Sequence, residues 1–271
     1  MLWALLGFWV VVLVYLFLIA PNVLHRKART RLLRGVPYAH RGLHGKGIPE
    51  NSLTAFQRAV DRGYGIELDV HLTRDGQLVV HHDDSLSRMC HVNRNIESMT
   101  LDEILDCRLW GTDEKIPTLD QALNVVQGRV PLIVEMKSAG EGSKALPEAL
   151  YRRMRQYDGD WCVESFDPRL IRWFKRYAPS VIRGQLAYDP SKVPQDQHRG
   201  LLYWMGARLL MNCISRPDFV AYGYETEGNL SFRVMRMLFQ PVLAAWTVRS
   251  RKDFERLKDQ YDLQIFESFE P

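Results

Sequence analysis

Gly65-Ile66-Glu67-Leu68-Asp69-Val70-His71-Leu72, followed by Thr73-Arg74-Asp75-Gly76 and Leu78-Val79-Val80, is the stretch on which the reading of this chain turns. Side chains alternate across a β-strand, so Glu67 and Asp69 share one face while Ile66, Leu68 and Val70 share the other. An apolar face opposite a charged one describes a strand whose outer side is covered by helices. Asp75-Gly76 marks a tight turn, and the apolar run straight after it is a returning antiparallel strand. The hairpin brings residues near 82 alongside residues 67–69. Two neighbouring carboxylates repel unless one takes up a proton or a cation sits between them. A solvated surface pair is the plain alternative, but it fits poorly with the apolar opposite face.

Short β-type runs separated by amphipathic stretches continue along the chain. Eight read as strands, at residues 37–41, 65–72, 131–135, 161–165, 182–186, 218–222, 242–247 and 263–267. Helical patterns lie between them, including 52–62, 119–126, 168–177 and 252–260. This predicts an α/β fold, a (β/α)8 TIM barrel with a hairpin and a small insertion after strand 2. The insertion, residues 85–118, holds polar turns and one short helix near 101–107, and insertions of this kind cover active-site mouths.

Composition agrees with a single core: 271 residues, 46% hydrophobic and 25% charged, with no Ser- or Gly-rich linker. The formal net charge of +4 leaves no nucleic-acid footprint, because much of the basic excess falls in one short segment. Cys90, Cys107, Cys162 and Cys213 are too scattered for a zinc site or a disulfide framework, so free thiols in a reducing compartment are expected.

The first residues read differently. Leu2–Ala20 carries no charge, and at 1.5 Å per residue it is long enough to cross a bilayer. A cleaved signal peptide would show a basic stretch before the apolar run and small residues at a cleavage point, and neither is present. The reading is a transmembrane helix at 1–21, a basic juxtamembrane segment at 22–35 and a barrel at 36–271. Arg26, Lys27, Arg29, Arg31 and Arg34 on the C-terminal flank place the catalytic domain in the cytoplasm, with the basic segment against anionic head groups.

The chemistry gathers at predicted strand ends. Glu135 closes the apolar run Pro131–Val134, and Lys137 shares its face. Three carboxylates, Glu67, Asp69 and Glu135, form a hard-oxygen set suited to one divalent cation, Mg2+ or Ca2+. His40 and Arg41 end the first strand, and the hairpin returns His82 to the same rim. Two imidazoles, a cation site and a guanidinium suit phosphodiester cleavage. His44, His71, His81, His91 and His198 are read as surface or locally hydrogen-bonded side chains; His71 shares the face of the acids but lies by the turn.

His40-Arg41-Gly42, Pro49-Glu50-Asn51-Ser52, Glu67-Leu68-Asp69-Val70, Thr73-Arg74-Asp75-Gly76 and His82-Asp83 with Leu86 and Arg88 together resemble the glycerophosphodiester phosphodiesterase signature. Glu135-Met136-Lys137, Glu164-Ser165-Phe166-Asp167 and Trp246-Thr247-Val248 are similar to later blocks of that family. The resemblance implies a (β/α)8 barrel with Glu67, Asp69 and Glu135 on the metal and His40 and His82 as the acid–base pair. It further implies phosphate contacts from Arg41 and Lys137, a place for Glu50 at the glycerol end or the metal shell, and an aromatic wall from Trp246. The implied reaction hydrolyses glycerophosphodiesters to an alcohol and glycerol 3-phosphate. Cleavage of membrane lysophospholipids by a lysophospholipase D, and a disabled membrane-bound binding protein, are the alternatives. Met89-Cys90 replaces the family's threonines, His81 an aromatic or aliphatic residue, and Glu267-Ser268 the usual Thr-Asp pair. With no closing helix after the last strand, residues 22–33 are expected to cover the gap.

Overall fold

The computed structural model of the protein describes residues 2–24, 26–137, 145–194, 196, 198 and 200–271, without the side chains of Arg26 and Lys27. Among the described residues nine strands are present: β1 (Tyr38–His40), β2 (Gly65–Leu72), β3 (Leu78–Val80), β4 (Leu132–Met136), β5 (Trp161–Ser165), β6 (Arg183–Ala187), β7 (Phe219–Gly223), β8 (Val242–Val248) and β9 (Leu263–Phe266). All but β3 run parallel in the order β1-β9-β8-β7-β6-β5-β4-β2, and pairing of β1 with β2 closes the ring. The result is a (β/α)8 barrel, and β3 returns antiparallel on β2 with Val80 opposite Val70. All eight predicted barrel strands are found, displaced by no more than a residue or two at their ends.

Local sequence explains the covering helices. Ser52 accepts a hydrogen bond from the Ala55 amide and starts the Leu53–Asp61 helix, which buries Ala55, Phe56, Ala59 and Val60. Thr118 and Gln121 form a capping box on the Leu119–Val126 helix, whose buried face is Leu119, Ala122, Leu123 and Val126. These faces pack on the outward residues of the sheet, such as Ile66, Leu68, Val70, Leu132 and Val134.

A second, inner cluster fills the barrel: Tyr38, Ile133, Cys162, Phe219, Val242 and Ile265 are among its members. Phe219 crosses the interior so closely that a Cβ at residue 184 would stand 2.2 Å from its ring, which is why glycine occupies that position. Leu33, from the segment before β1, is fully buried in the same inner cluster. Tyr38 Oη donates to the Leu33 carbonyl at 2.7 Å, fixing it at the end of the barrel where the strands begin.

The stretch before β1 is therefore part of the barrel's packing. Asn22 Nδ2 donates to Asp218 Oδ1 at 2.7 Å, Arg29 Nη1 reaches the same oxygen at 2.9 Å, and Arg34 pairs with Asp262 at 3.2 Å. Arg29 and Arg34 thus serve barrel acids, where the sequence suggested lipid head groups; Arg26 and Lys27 lie outside the described side chains. Beyond β9, the Phe269 ring packs against Phe266 and Phe254. The N-terminal helix, Leu2–Ile19, buries only Ile19 fully and leans its last turns on the barrel.

The insertion has its own small core of Val79, Leu86, Met89, Ile96, Ile104 and Ile116. Met89 sits at its centre, so the departure from threonine there is a packing substitution. All four cysteines are free thiols.

Candidate active site

Strand ends converge on one cluster. Register sets it: Glu67 lies beside His40 of β1, and Asp69 lies beside Glu135 of β4. Glu67, Asp69 and Glu135 are all buried, and one carboxylate oxygen from each lies within 4.8 Å of the other two. This oxygen-only, anionic donor set fits a hard divalent cation and offers nothing to select a soft one.

The cluster's charge is partly balanced from inside the protein. Lys137 Nζ stands 2.9 Å from Asp69 Oδ1 and 2.8 Å from Glu135 Oε1. Apart from this ion pair, Asp69 Oδ1 meets no hydrogen-bond donor among the described residues. Arg41 turns its backbone amide to Glu67 Oε2 at 3.0 Å and its guanidinium to Glu50 Oε1 at 2.9 Å, with Nε 3.5 Å from Asp69 Oδ2. That geometry depends on a left-handed bend at Arg41, φ +56°, followed by Gly42 at φ +78°. A Cβ at Gly42 would stand 2.9 Å from the Phe56 ring, so glycine alone fits the exit from β1.

Two formal positive charges facing three carboxylates leave an excess of negative charge. Burial, together with the charges of Asp69 and Glu135, pushes the Glu67 carboxyl well above its ordinary range. Burial also raises Glu135 despite the attraction of Lys137. Asp69 goes the other way: burial would raise it, but the charges of Lys137, His82 and Arg41 win and hold it well below the usual carboxylate range. For Lys137, burial opposes the charge, yet the pull of Asp69 and Glu135 keeps the ammonium protonated.

Each candidate histidine is held by an acid. His40 Nδ1 donates to Glu267 Oε2 at 2.9 Å, and its Nε2 stands 4.0 Å from Glu67 Oε2. Burial lowers His40 to about 4, outweighing the hydrogen bond to Glu267, so the ring is neutral near pH 7. His82 Nδ1 lies 2.6 Å from Asp83 Oδ1, and Arg88 clamps the same carboxylate through Nε at 2.6 Å. Arg88 Nη2 also reaches Glu50 Oε1 at 2.6 Å, linking insertion, hairpin and β1 exit in one chain of ion pairs.

His81 and His71, read from sequence as peripheral, are buried beside the cluster. His71 Nε2 donates to the His82 carbonyl at 3.3 Å, and the His81 amide donates to the Asp69 carbonyl at 3.0 Å. Burial lowers His81 to about 4 and His71 to about 3. Trp246 stands on β8 in a trio with Phe166 and Tyr188, ring centroids 5.5 to 5.8 Å apart.

Three residues went without a role in the sequence reading. Asn51 Nδ2 donates to Asp69 Oδ2 at 2.7 Å from a left-handed bend, φ +54°. Glu267 orients His40. Glu164 lies beside Glu135 in the register, buried, with no partner for Oε2 among the described residues and its carboxyl raised by burial and then by Glu135. Asn51 and Glu164 stand inside quoted motifs, which was the available signal; for Glu267 there was none beyond its place at a strand end.

The geometry can be set beside known proteins. Residues 40–261 match the model of the glycerophosphoryl diester phosphodiesterase family. A glycerophosphodiester phosphodiesterase of Caldanaerobacter subterraneus subsp. tengcongensis is 35% identical over 158 residues, covering 55% of this chain and 65% of that protein. Human lysophospholipase D is 35% identical over 136 residues, 45% of this chain and 42% of its own length. The chain thus spans less than two thirds of these curated relatives. An Oleispira antarctica phosphodiesterase, solved in complex with the product sn-glycerol-3-phosphate, shares the fold with a TM-score of 0.70 at 21% identity, covering 86% of this chain and 93% of that one. A Parabacteroides distasonis glycerophosphodiester phosphodiesterase gives a TM-score of 0.64 at 26% identity, covering 85% and 92%. Since the family match runs from His40 at the end of β1 almost to the start of β9, the chain belongs to the glycerophosphoryl diester phosphodiesterase family.

Proposed function

We propose that this protein hydrolyses glycerophosphodiesters to an alcohol and glycerol 3-phosphate. The observation that carries the reading is the convergence on three buried carboxylates of two histidines, each held at Nδ1 by its own acid. Glu67, Asp69 and Glu135 would hold one Mg2+ or Ca2+, which supplies Lewis-acid stabilisation of a phosphoryl oxygen when bound. Arg41 and Lys137 contact the remaining phosphoryl oxygens, and Glu50 accepts hydrogen bonds at the glycerol end or orients Arg41. Trp246 presents its ring to the substrate.

His40, neutral through burial, accepts at Nε2 the proton of the attacking hydroxyl, and Glu267 stabilises the imidazolium that forms. The hydroxyl oxygen bonds to phosphorus as the bond from phosphorus to the alcohol oxygen breaks. His82, held at Nδ1 by Asp83, donates its Nε2 proton to that leaving oxygen. When the nucleophile is a glycerol hydroxyl, a cyclic phosphate results, and water then opens it with the two histidines exchanging roles.

The likeness to human lysophospholipase D supports a second substrate class, membrane lysophospholipids cleaved by the same chemistry. The uncharged N-terminal helix, Leu2–Ile19, supports a single-pass membrane protein, and the basic residues after it support a cytoplasmic barrel. One experiment tests the activity: the purified protein with Mg2+ or Ca2+ is assayed against glycerophosphocholine, glycerophosphoglycerol and a lysophospholipid. Cation-dependent release of the alcohol from at least one is expected. No turnover of any of the three would refute the reading.

A further inference from the structure

The direction of the N-terminal helix relative to the barrel can be read from its contacts. Tyr15 Oη donates to Ser231 Oγ at 2.9 Å, and Ser231 lies in the first turn of the Leu230–Phe239 helix that follows β7. That is the end of the barrel carrying the carboxylates. Seven residues later, Asn22 bonds Asp218 and the Pro217 carbonyl, immediately before β7 and so at the opposite end. Between the two, Asn212 Nδ2 donates to the Ile19 carbonyl at 2.9 Å and Arg216 Nη1 to the Ala20 carbonyl at 2.6 Å. Residues 15–22 therefore run down the outside of the barrel from the catalytic end. The earlier turns, Leu2–Val14, project beyond that same end by about 20 Å.

A second apolar feature stands at this end. The loop after β6 leads into the Leu201–Ala207 helix, whose last residue is tied to the top of β7, since Tyr222 Oη and Asn229 Nδ2 both donate to the Ala207 carbonyl. At its start Leu201 and Leu202 are each 69% exposed beside half-exposed Tyr203 and Trp204. Leu230, 71% exposed, opens the neighbouring helix against which the N-terminal helix leans. Five large apolar side chains on one rim, next to an uncharged helix, are more than scattered surface hydrophobics. At its polar fringe Arg208 stacks over Trp204 at 4.5 Å, where it can reach lipid phosphates.

We propose that Leu201, Leu202, Tyr203, Trp204 and Leu230 form a membrane-docking rim that dips into the phospholipid boundary beside the N-terminal helix and turns the mouth of the active site toward the bilayer. The proposal rests on the reading of that helix as a membrane segment. A rim drawn 5–10 Å into the interface also places the outward face of the docked turns, Val14 and Phe17, in the apolar layer instead of in water. Phe166, Tyr188 and Trp246, packed together at the C-terminal ends of β5, β6 and β8, stand at the same end of the barrel.

Tryptophan quenching tests it on the full chain in phospholipid vesicles with acyl chains brominated near the head group. The emission lost on Trp204→Phe isolates Trp204, while Trp3 and Trp9 report the N-terminal helix. Quenching of both parts is expected. Quenching of Trp3 and Trp9 with the Trp204 component untouched would overturn the docking rim while leaving the membrane helix intact. Quenching of neither would remove the membrane reading and this proposal together. A triple variant, Leu201→Ser, Leu202→Ser and Leu230→Ser, adds a readout separate from catalysis. It should turn over soluble glycerophosphodiester as the parent does and lose about tenfold against lysophospholipid presented in vesicles. Equal rates on both would overturn the rim; a parent inactive on both would count against the proposed activity, with the quenching result unaffected.

Discussion

Glu267 Oε2 accepts a hydrogen bond from His40 Nδ1 at 2.9 Å, tying the last strand of the barrel to the first where the imidazole meets the carboxylates. The contact fixes the tautomer that leaves the Nε2 lone pair facing Glu67. It also lowers Glu267 to about 2, the hydrogen bond from His40 being the largest cause. Glu267→Gln keeps the shape and removes the charge that favours the imidazolium. Turnover should fall about 10- to 100-fold, less than for loss of a proton-transfer group itself, and the acid limb of the pH–rate profile should move to lower pH. An unchanged profile would show that the pair is structural only.

Replacing Glu67, Asp69 or Glu135 by alanine should abolish most activity while circular dichroism stays that of a folded barrel, and a chelator should act alike. The three acids share one buried site, so the losses should not add when the substitutions are combined. Full activity of protein shown by metal analysis to be cation-free would remove the metal from the mechanism.

His40→Ala and His82→Ala should each cost roughly 10²–10⁴-fold in turnover, the usual worth of a positioned acid or base. His44→Ala and His81→Ala are the controls. If His81→Ala were the crippling change and His82→Ala mild, the hairpin would present the other imidazole to substrate.

His71 and His81 are held neutral by burial, at about 3 and about 4 against an ordinary 6.5. The unfolded chain therefore binds more protons, and the stability these two contribute above pH 6.5 is lost as pH falls toward 4 and 3. Each adds at most about 1.4 kcal/mol per pH unit to that slope. The raised carboxyls of Glu67 and Glu164 act with opposite sign, so the test is a difference. His71→Gln should flatten the acid side of a plot of denaturation midpoint against pH relative to the parent, whatever it does at pH 7.

A reporter that works only in the cytoplasm, fused after Pro271, should be active, and one that matures only outside should be silent. The reverse pattern, or release of a shortened soluble form, would show that the N-terminal helix is an export signal.

The strands and the carboxylate cluster were legible because both depend on short-range regularity. The two-residue period of β2 puts Glu67 and Asp69 on one face, Asp75-Gly76 forces the hairpin, and Glu135 follows from an apolar run of ordinary strand length. What escaped depends on contacts between distant parts of the chain. Glu267 meets His40 across 227 residues, and nothing near either position announces the other. Asn51 is within a motif, but its aim at Asp69 comes from a backbone bend that no periodicity records. The exposure of Leu201–Trp204 is a property of the finished surface, which composition does not announce. Arg29 and Arg34 read as lipid-facing charges until Asp218 and Asp262 come alongside.

Leu33 leaves the ribosome before any strand of the barrel exists, yet its seat among Tyr38, Ile133, Phe219 and Ile265 needs residues from both ends of the sheet. Its burial waits for the last strand, so the floor is sealed late, by a residue made early. If the preceding helix is by then held in a membrane, the sheet must assemble around a fixed point, and each strand added is delivered to the bilayer surface instead of diffusing to it. On this account, orientation at the lipid is acquired during synthesis, before the first substrate is met.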